Sequence, residues 1–177
     1  MSEVEHSASF LSLADLAQMD TSDVKELMSR LPDAGLFIVE CKEVKLTVTP
    51  STDPTKPAPM IRASHRLEIV AVDELVDRNK DPESLIGRNI NDSMTLWANT
   101  KADFDECVGL LKGKYKKVRL ANDGPLGGDG VTSGWLDLAV GHTFPVRVKH
   151  GKNQKTGDDT ARVEWVPITD EMLAESA

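Results

Sequence analysis

The spacing of apolar residues along this chain changes from helical to alternating at Gly35. Before it, Leu13, Leu16 and Ala17, then Val24, Leu27, Met28 and Leu31, recur at helical intervals and predict two short helices, separated near Asp20-Thr21-Ser22, where a side-chain oxygen is placed to cap the second. Pro32-Asp33-Ala34-Gly35 ends this segment. After it, Val44, Leu46 and Val48 alternate with Glu43, Lys45, Thr47 and Thr49, the pattern of a half-buried strand beginning as early as Leu36. Pro50, Pro54, Pro57 and Pro59 make the next segment an exposed loop, because proline cannot donate to a ladder. A second strand over Ile61 to Val72 puts Ala63, His65, Leu67, Ile69 and Ala71 on one face and Arg62, Ser64, Arg66 and Glu68 on the other.

Asp81-Pro82 predicts a helical turn and Ile90 to Trp97 a third strand. Thr100-Lys-Ala-Asp103 has the form of a capping box, and Phe104, Cys107, Val108 and Leu111 then give one apolar stripe, so a helix is predicted from Thr100 to about Lys112, ended by Gly113. Tyr115 to Leu120 is predicted as a strand and Asn122 to Gly134 as a glycine-rich loop that stays mobile unless it binds something. Three strands, Trp135 to Val140, Phe144 to His150 and Thr160 to Val166, close the pattern. Gly151 to Asp159 is a hairpin loop between the last two, and the tail holds about one helical turn.

Strands that outnumber helices without alternating with them argue against a doubly wound parallel sheet. The predicted class is mainly β (α+β). The economical form is a small antiparallel barrel with one capping helix and a short helical N-terminus, like the oligonucleotide-binding (OB) barrel, in which one helix plugs the end of a five-stranded Greek key. A β-sandwich with a helix across its end has the same element order. The length of 177 residues suits one domain, predicted over 13–168, after a mobile lead-in at 1–12 with Phe10, Leu11 and Leu13 as candidate anchors, and before a short acidic tail at 169–177.

The charge is sorted. Residues 112–119 and 145–155 hold nine of the 21 Lys and Arg and no acid, which leaves 12 against 29 Asp and Glu elsewhere. Such sorting gives a local field opposite to the net charge of −8 and suits a protein that grips a polyanion at one place. Charged sheet edges that prevent stray pairing produce similar runs. No apolar stretch is long enough to span a bilayer, and the acidic start is unlike a secretory signal, so a soluble, cytoplasmic protein is expected, in the host cytoplasm if viral. Cys41 and Cys107 are expected to be reduced residues of the core.

Catalytic motifs are missing. Gly124-Pro-Leu-Gly-Gly-Asp-Gly130 lacks the Gly-Lys-Ser/Thr ending of a P-loop, His65, His142 and His150 have no partner at metal-ligand spacing, and neither Asp158-Asp159 nor Asn122-Asp123-Gly124 with Asp129 completes a cation loop. No enzyme and no cofactor is expected. For binding, Lys112, Lys114, Lys116, Lys117, Arg119, Arg147, Lys149, His150 and Lys152 are the candidate electrostatic groove, with Tyr115, Trp97 and Trp135 as rings on which bases stack.

Leu31-Pro-Asp-Ala-Gly35 before a long strand, Leu96-Trp97 with Thr100-Lys-Ala-Asp-Phe104, Phe144-Pro-Val-Arg-Val-Lys-His150 and Ala161-Arg-Val-Glu-Trp165 together resemble the layout of bacteriophage single-stranded DNA-binding proteins of the OB-fold type. The resemblance spans roughly residues 31–166. It implies a protein that coats single-stranded DNA in phage replication and recombination, with partner enzymes recruited through an acidic tail and room for a homo-oligomer. The tail Asp170-Glu-Met-Leu-Ala-Glu175 is short and lacks a terminal aromatic, which weakens the expectation of recruitment. A viral structural or protein-interaction module, such as a capsid-associated or decoration protein, is the alternative.

Overall fold

The computed structural model describes residues 12–20, 22 and 31–175. The chain divides into two compact units, Met1–Arg30 and Leu31–Ala177. In the first, helix α1 (Leu13–Gln18) opens with a reciprocal cap: Asp15 N–H donates to Ser12 Oγ at 3.1 Å, and Ser12 N–H donates to the Asp15 carboxylate at 3.2 Å. The predicted lead-in, up to Leu11, and the helix expected from Val24 lie outside the described residues, as do the last two residues of the tail.

The second unit is built on one antiparallel sheet of five strands, β1 (Gly35–Thr49), β2 (Met60–Leu75), β3 (Asn89–Trp97), β4 (Thr143–Lys152) and β5 (Asp159–Trp165), in the order β3-β2-β1-β4-β5. This is the mainly antiparallel α+β class predicted. β1 is long enough to serve two partners: its whole length pairs with β2, and Gly35 to Glu40 also pair with β4. Irregularities in register at Leu36/Phe37, Ile38/Val39 and Cys41/Glu43 bend it, as bulges do. No backbone ladder joins β3 to β5 among the described residues. Side chains bridge them instead, where Trp165 Nε1–H on β5 donates to Asp92 Oδ2 on β3 at 2.8 Å.

Helix α2 (Lys101–Lys117) lies between β3 and β4 in sequence. Thr100 caps it by accepting from Asp103 N–H at 3.1 Å. The helix does not stop at Gly113. It runs on because Leu111, Tyr115 and Val118 continue the buried stripe, and a fully apolar anchor every three to four residues outweighs the cost of one exposed glycine. The strand expected from Tyr115 to Leu120 is therefore absent. The strand expected over Trp135 to Val140 is a 3-10 helix, Trp135–Ala139, that buries Trp135, Leu136 and Ala139. A shorter 3-10 helix, Pro82–Leu85, follows an Asp81 cap, and α3 (Asp170–Glu175) ends the described chain.

The core gathers Phe37, Val39, Leu67, Ile90, Leu96, Leu111, Tyr115, Phe144, Val146 and Trp165. The glycine-rich loop is tied down by contacts of its own. Leu46 N–H donates to Gly128 O at 2.8 Å, Leu136 N–H donates to Leu126 O at 3.0 Å, and the Asp137 carboxylate accepts from Gly128 and Gly134 N–H. Asp129 folds the tip by accepting from Val131 and Thr132 N–H. The mobility expected of this loop is not needed to satisfy its backbone.

Candidate nucleic-acid interface

Helical rather than extended geometry redistributes the first basic run. At 100° per residue, Lys112 and Lys116 point roughly opposite to Lys114. Lys114 and Lys117 share a groove with Asp92, Ser93, Arg162, Glu164 and Trp165 at the seam between β3 and β5. Lys114 donates to Asp92 Oδ2 at 2.9 Å and lies 5.6 Å from the centre of the Trp165 ring. Arg119 ends α2 in a left-handed conformation, φ 62, at the position where glycine is usual, because its N–H reaches Lys116 O and Leu120 N–H reaches Tyr115 O. Its guanidinium holds Ile168 O at 3.2 Å and Asp170 at 2.6 Å.

The second run is spread along β4. Arg147 faces Glu74 at 3.6 Å, Lys149 binds Glu164 at 3.0 Å, Lys152 reaches across the hairpin to Asp159 at 3.2 Å, and His150 Nε2 meets Pro32 O at 2.7 Å. The two runs meet at one carboxylate. Glu164 is held below the usual carboxylate range by the hydrogen bond from Lys149, with further help from the charges of Lys149, Arg162 and Lys117. Of the nine groove candidates, Lys114, Lys117 and Lys149 thus converge, Lys112 and Lys116 turn away, and Arg119, Arg147, His150 and Lys152 are engaged elsewhere.

Two of the three candidate rings are inside the molecule. Tyr115 is 0 % exposed and Trp135 3 % exposed, so neither presents a face to a base. The reason is the same lengthened helix, which carries Tyr115 into the core, where its hydroxyl donates to Leu136 O at 2.7 Å and its ring meets Trp135 edge-on at 4.9 Å. Burial drives the Tyr115 pKa up. Trp97, by contrast, is 51 % exposed at the end of β3.

The outer face of β1, β2 and β3 supplies a surface that no run of lysines announced. Strand register sets three rows side by side: Thr47, Arg62 and Thr95; Lys45, Ser64 and Ser93; Glu43, Arg66 and Asn91. Trp97 closes the β3 column opposite Met60, beside Lys56 of the β1–β2 loop. Glu43 lies 3.0 Å from Lys45 and 3.6 Å from Arg66, and Arg62 has no ion pair among the described residues. Ser64 and Ser93 share a hydrogen bond of 2.9 Å, and Ser93 also lines the groove of Lys114 and Lys117, so this face continues over the β3 edge into the seam. The alternation of Arg62, Ser64 and Arg66 in the sequence was the available signal. The pairing that sets Lys45 and Asn91 beside them is non-local.

Among the described residues no group of three or more His, Cys, Asp or Glu gathers as a metal site, and no helix is long and apolar enough to cross a membrane. Cys41 is buried, with its thiol pushed up to about 11 mainly by that burial. No protein-family model and no curated protein matches the chain.

Proposed function

We propose that this protein is a non-enzymatic, sequence-tolerant binder of single-stranded DNA with an OB-like barrel, acting in phage DNA replication or recombination, and that the strand lies across the outer face of β1, β2 and β3. The observation that carries this reading is that face itself: Lys45, Arg62 and Arg66, three cations to the one carboxylate of Glu43, among small hydroxyl and amide side chains, ending in the exposed Trp97. Cations that follow a backbone beside a ring that stacks a base are what sequence-tolerant single-strand binding requires. The β1-β2-β3 meander, the helix between β3 and β4, and β4 beside β1 agree with an OB barrel, whose ligand face is strands 2 and 3 flanked by the 1–2 and 4–5 loops. Those loops carry Lys56 and Lys155 here.

Titration with a dT oligonucleotide, followed by tryptophan fluorescence, tests the proposal. Trp97 is the exposed reporter, and quenching is expected that weakens steeply between about 50 and 200 mM salt as counterions are released. Trp97→Ala is expected to lose the quench and about 1–3 kcal/mol of affinity. An unchanged signal at low salt, with no oligonucleotide retained, overturns it.

A further inference from the structure

One bond fixes the phase of the β4–β5 ladder: Val166 N–H donates to Pro145 O at 3.0 Å. Register is unbroken from Val146↔Trp165 to Lys152↔Asp159. Antiparallel ladders alternate hydrogen-bonded and non-hydrogen-bonded pairs. Glu164, Arg162 and Thr160 therefore bond to β4, and Trp165, Val163 and Ala161 turn their N–H and C=O groups to the other side. That side is the free edge of the sheet, and no backbone bond among the described residues ends on those three. A groove of about 680 Å³ runs along the edge from Ala161 to Pro167, with Asp92 and Ser93 of β3 and Lys114 and Lys117 of α2 as its far wall. Lys114, Lys117 and Arg162 outnumber the two carboxylates, Asp92 and Glu164, by one, so the groove carries a small positive excess in a protein of net charge −8.

We propose that this edge accepts an extended acidic segment of a partner protein as an added strand. Ala161 and Val163, both half-buried, offer donors and acceptors in alternation, whereas Trp165 is 2 % exposed and closes the end of the edge; a polypeptide supplies both kinds of partner. A DNA backbone supplies acceptors only and leaves the two carbonyls unpaired. A strand of three residues, about 10 Å long, covers Ala161 to Val163. Its carboxylates face the surplus lysine and arginine charge. A second copy of this chain is a poorer occupant, because its own sheet has to follow its strand into a groove already walled by β3 and α2.

The probe is a fluorescently labelled, blocked heptapeptide of alternating glutamate and valine, added to the full-length protein and read by anisotropy. Saturable binding is expected, weakened about tenfold or more by Lys117→Glu and by Ala161→Pro. Proline at 161 deletes one edge N–H without touching a bond to β4, and edge strands tolerate it. A peptide of the same charge, N-methylated at alternate residues, controls for any folding defect in the variants and is expected not to bind. Equal binding of the methylated peptide overturns the proposal, since charge alone then suffices. So does Ala161→Pro binding like the parent, or self-association of the parent that Ala161→Pro abolishes. If Ala161→Pro weakens dT binding and leaves the peptide untouched, the groove belongs to nucleic acid and the proposal likewise fails. Arg62→Glu is expected to spare the peptide, so loss of dT binding on the outer face leaves this result standing.

Discussion

His65 is a titratable group that the fold keeps neutral. It is buried between Tyr115 and Trp165, whose ring meets it edge-on at 5.1 Å. The single hydroxyl hydrogen of Tyr115 goes to Leu136 O, so the neutral imidazole satisfies the 2.8 Å contact by donating from Nε2 to the phenol oxygen. Burial lowers its pKa from 6.5 to about 4; Asp92 opposes that shift and Lys114 assists it. Between those values the unfolded chain binds a proton that the folded chain does not, so this contribution is complete above pH 6.5 and is lost as pH falls toward 4. The loss amounts to about 3 kcal/mol. Denaturant unfolding at neutral pH and near pH 4 is expected to show a fall in stability about 3 kcal/mol smaller in His65→Gln than in the parent. Parallel pH profiles refute the assignment.

At the scale of elements, two glycines separate cost from requirement. Gly113 sits in exposed helix with nothing within 4 Å of where a Cβ would stand. Gly113→Ala is expected to raise stability by about 0.5–1 kcal/mol. Gly127, at φ 68, places a Cβ 2.4 Å from Gly134 N and 2.7 Å from its Cα, so Gly127→Ala is expected to destabilise the loop and the 3-10 helix behind it by more than the first change gains. Melting temperatures of the two variants, moving in opposite directions, check both. Gly113 also explains what the sequence concealed. Alternation marked β1 and β2, and capping marked the start of α2, because both signals are local. The end of α2 was set by tertiary burial of Tyr115 and Val118, which overrode a glycine, and that one override turned a predicted strand into helix and removed two predicted stacking rings from the surface. Trp135 joined a 3-10 helix for the same reason: its ring packs on Tyr115.

For the molecule as a whole, runs of lysine proved a poor guide to where positive charge is available. Arg119, Arg147, Lys149 and Lys152 each face a carboxylate brought near by the fold. Arg62, unremarkable in sequence, stands without an ion pair among the described residues on the face beside a ring-terminated strand. The two surfaces are separable. Arg62→Glu with Arg66→Glu is expected to weaken dT binding by at least about tenfold at low salt and to flatten its salt dependence. Lys116→Glu with Lys117→Glu acts only through Lys117 at the rim and is expected to cost less. The reverse ranking in the same titration moves the interface to α2.

Because an indole and a carboxylate, not a ladder, hold Trp165 to Asp92, no backbone bond among the described residues fixes the spacing of β5 from β3. A ladder breaks amide by amide, whereas this seam rests on side chains alone: the indole–carboxylate bond, Lys114 beside both partners, and the packing of the Trp165 ring in the core.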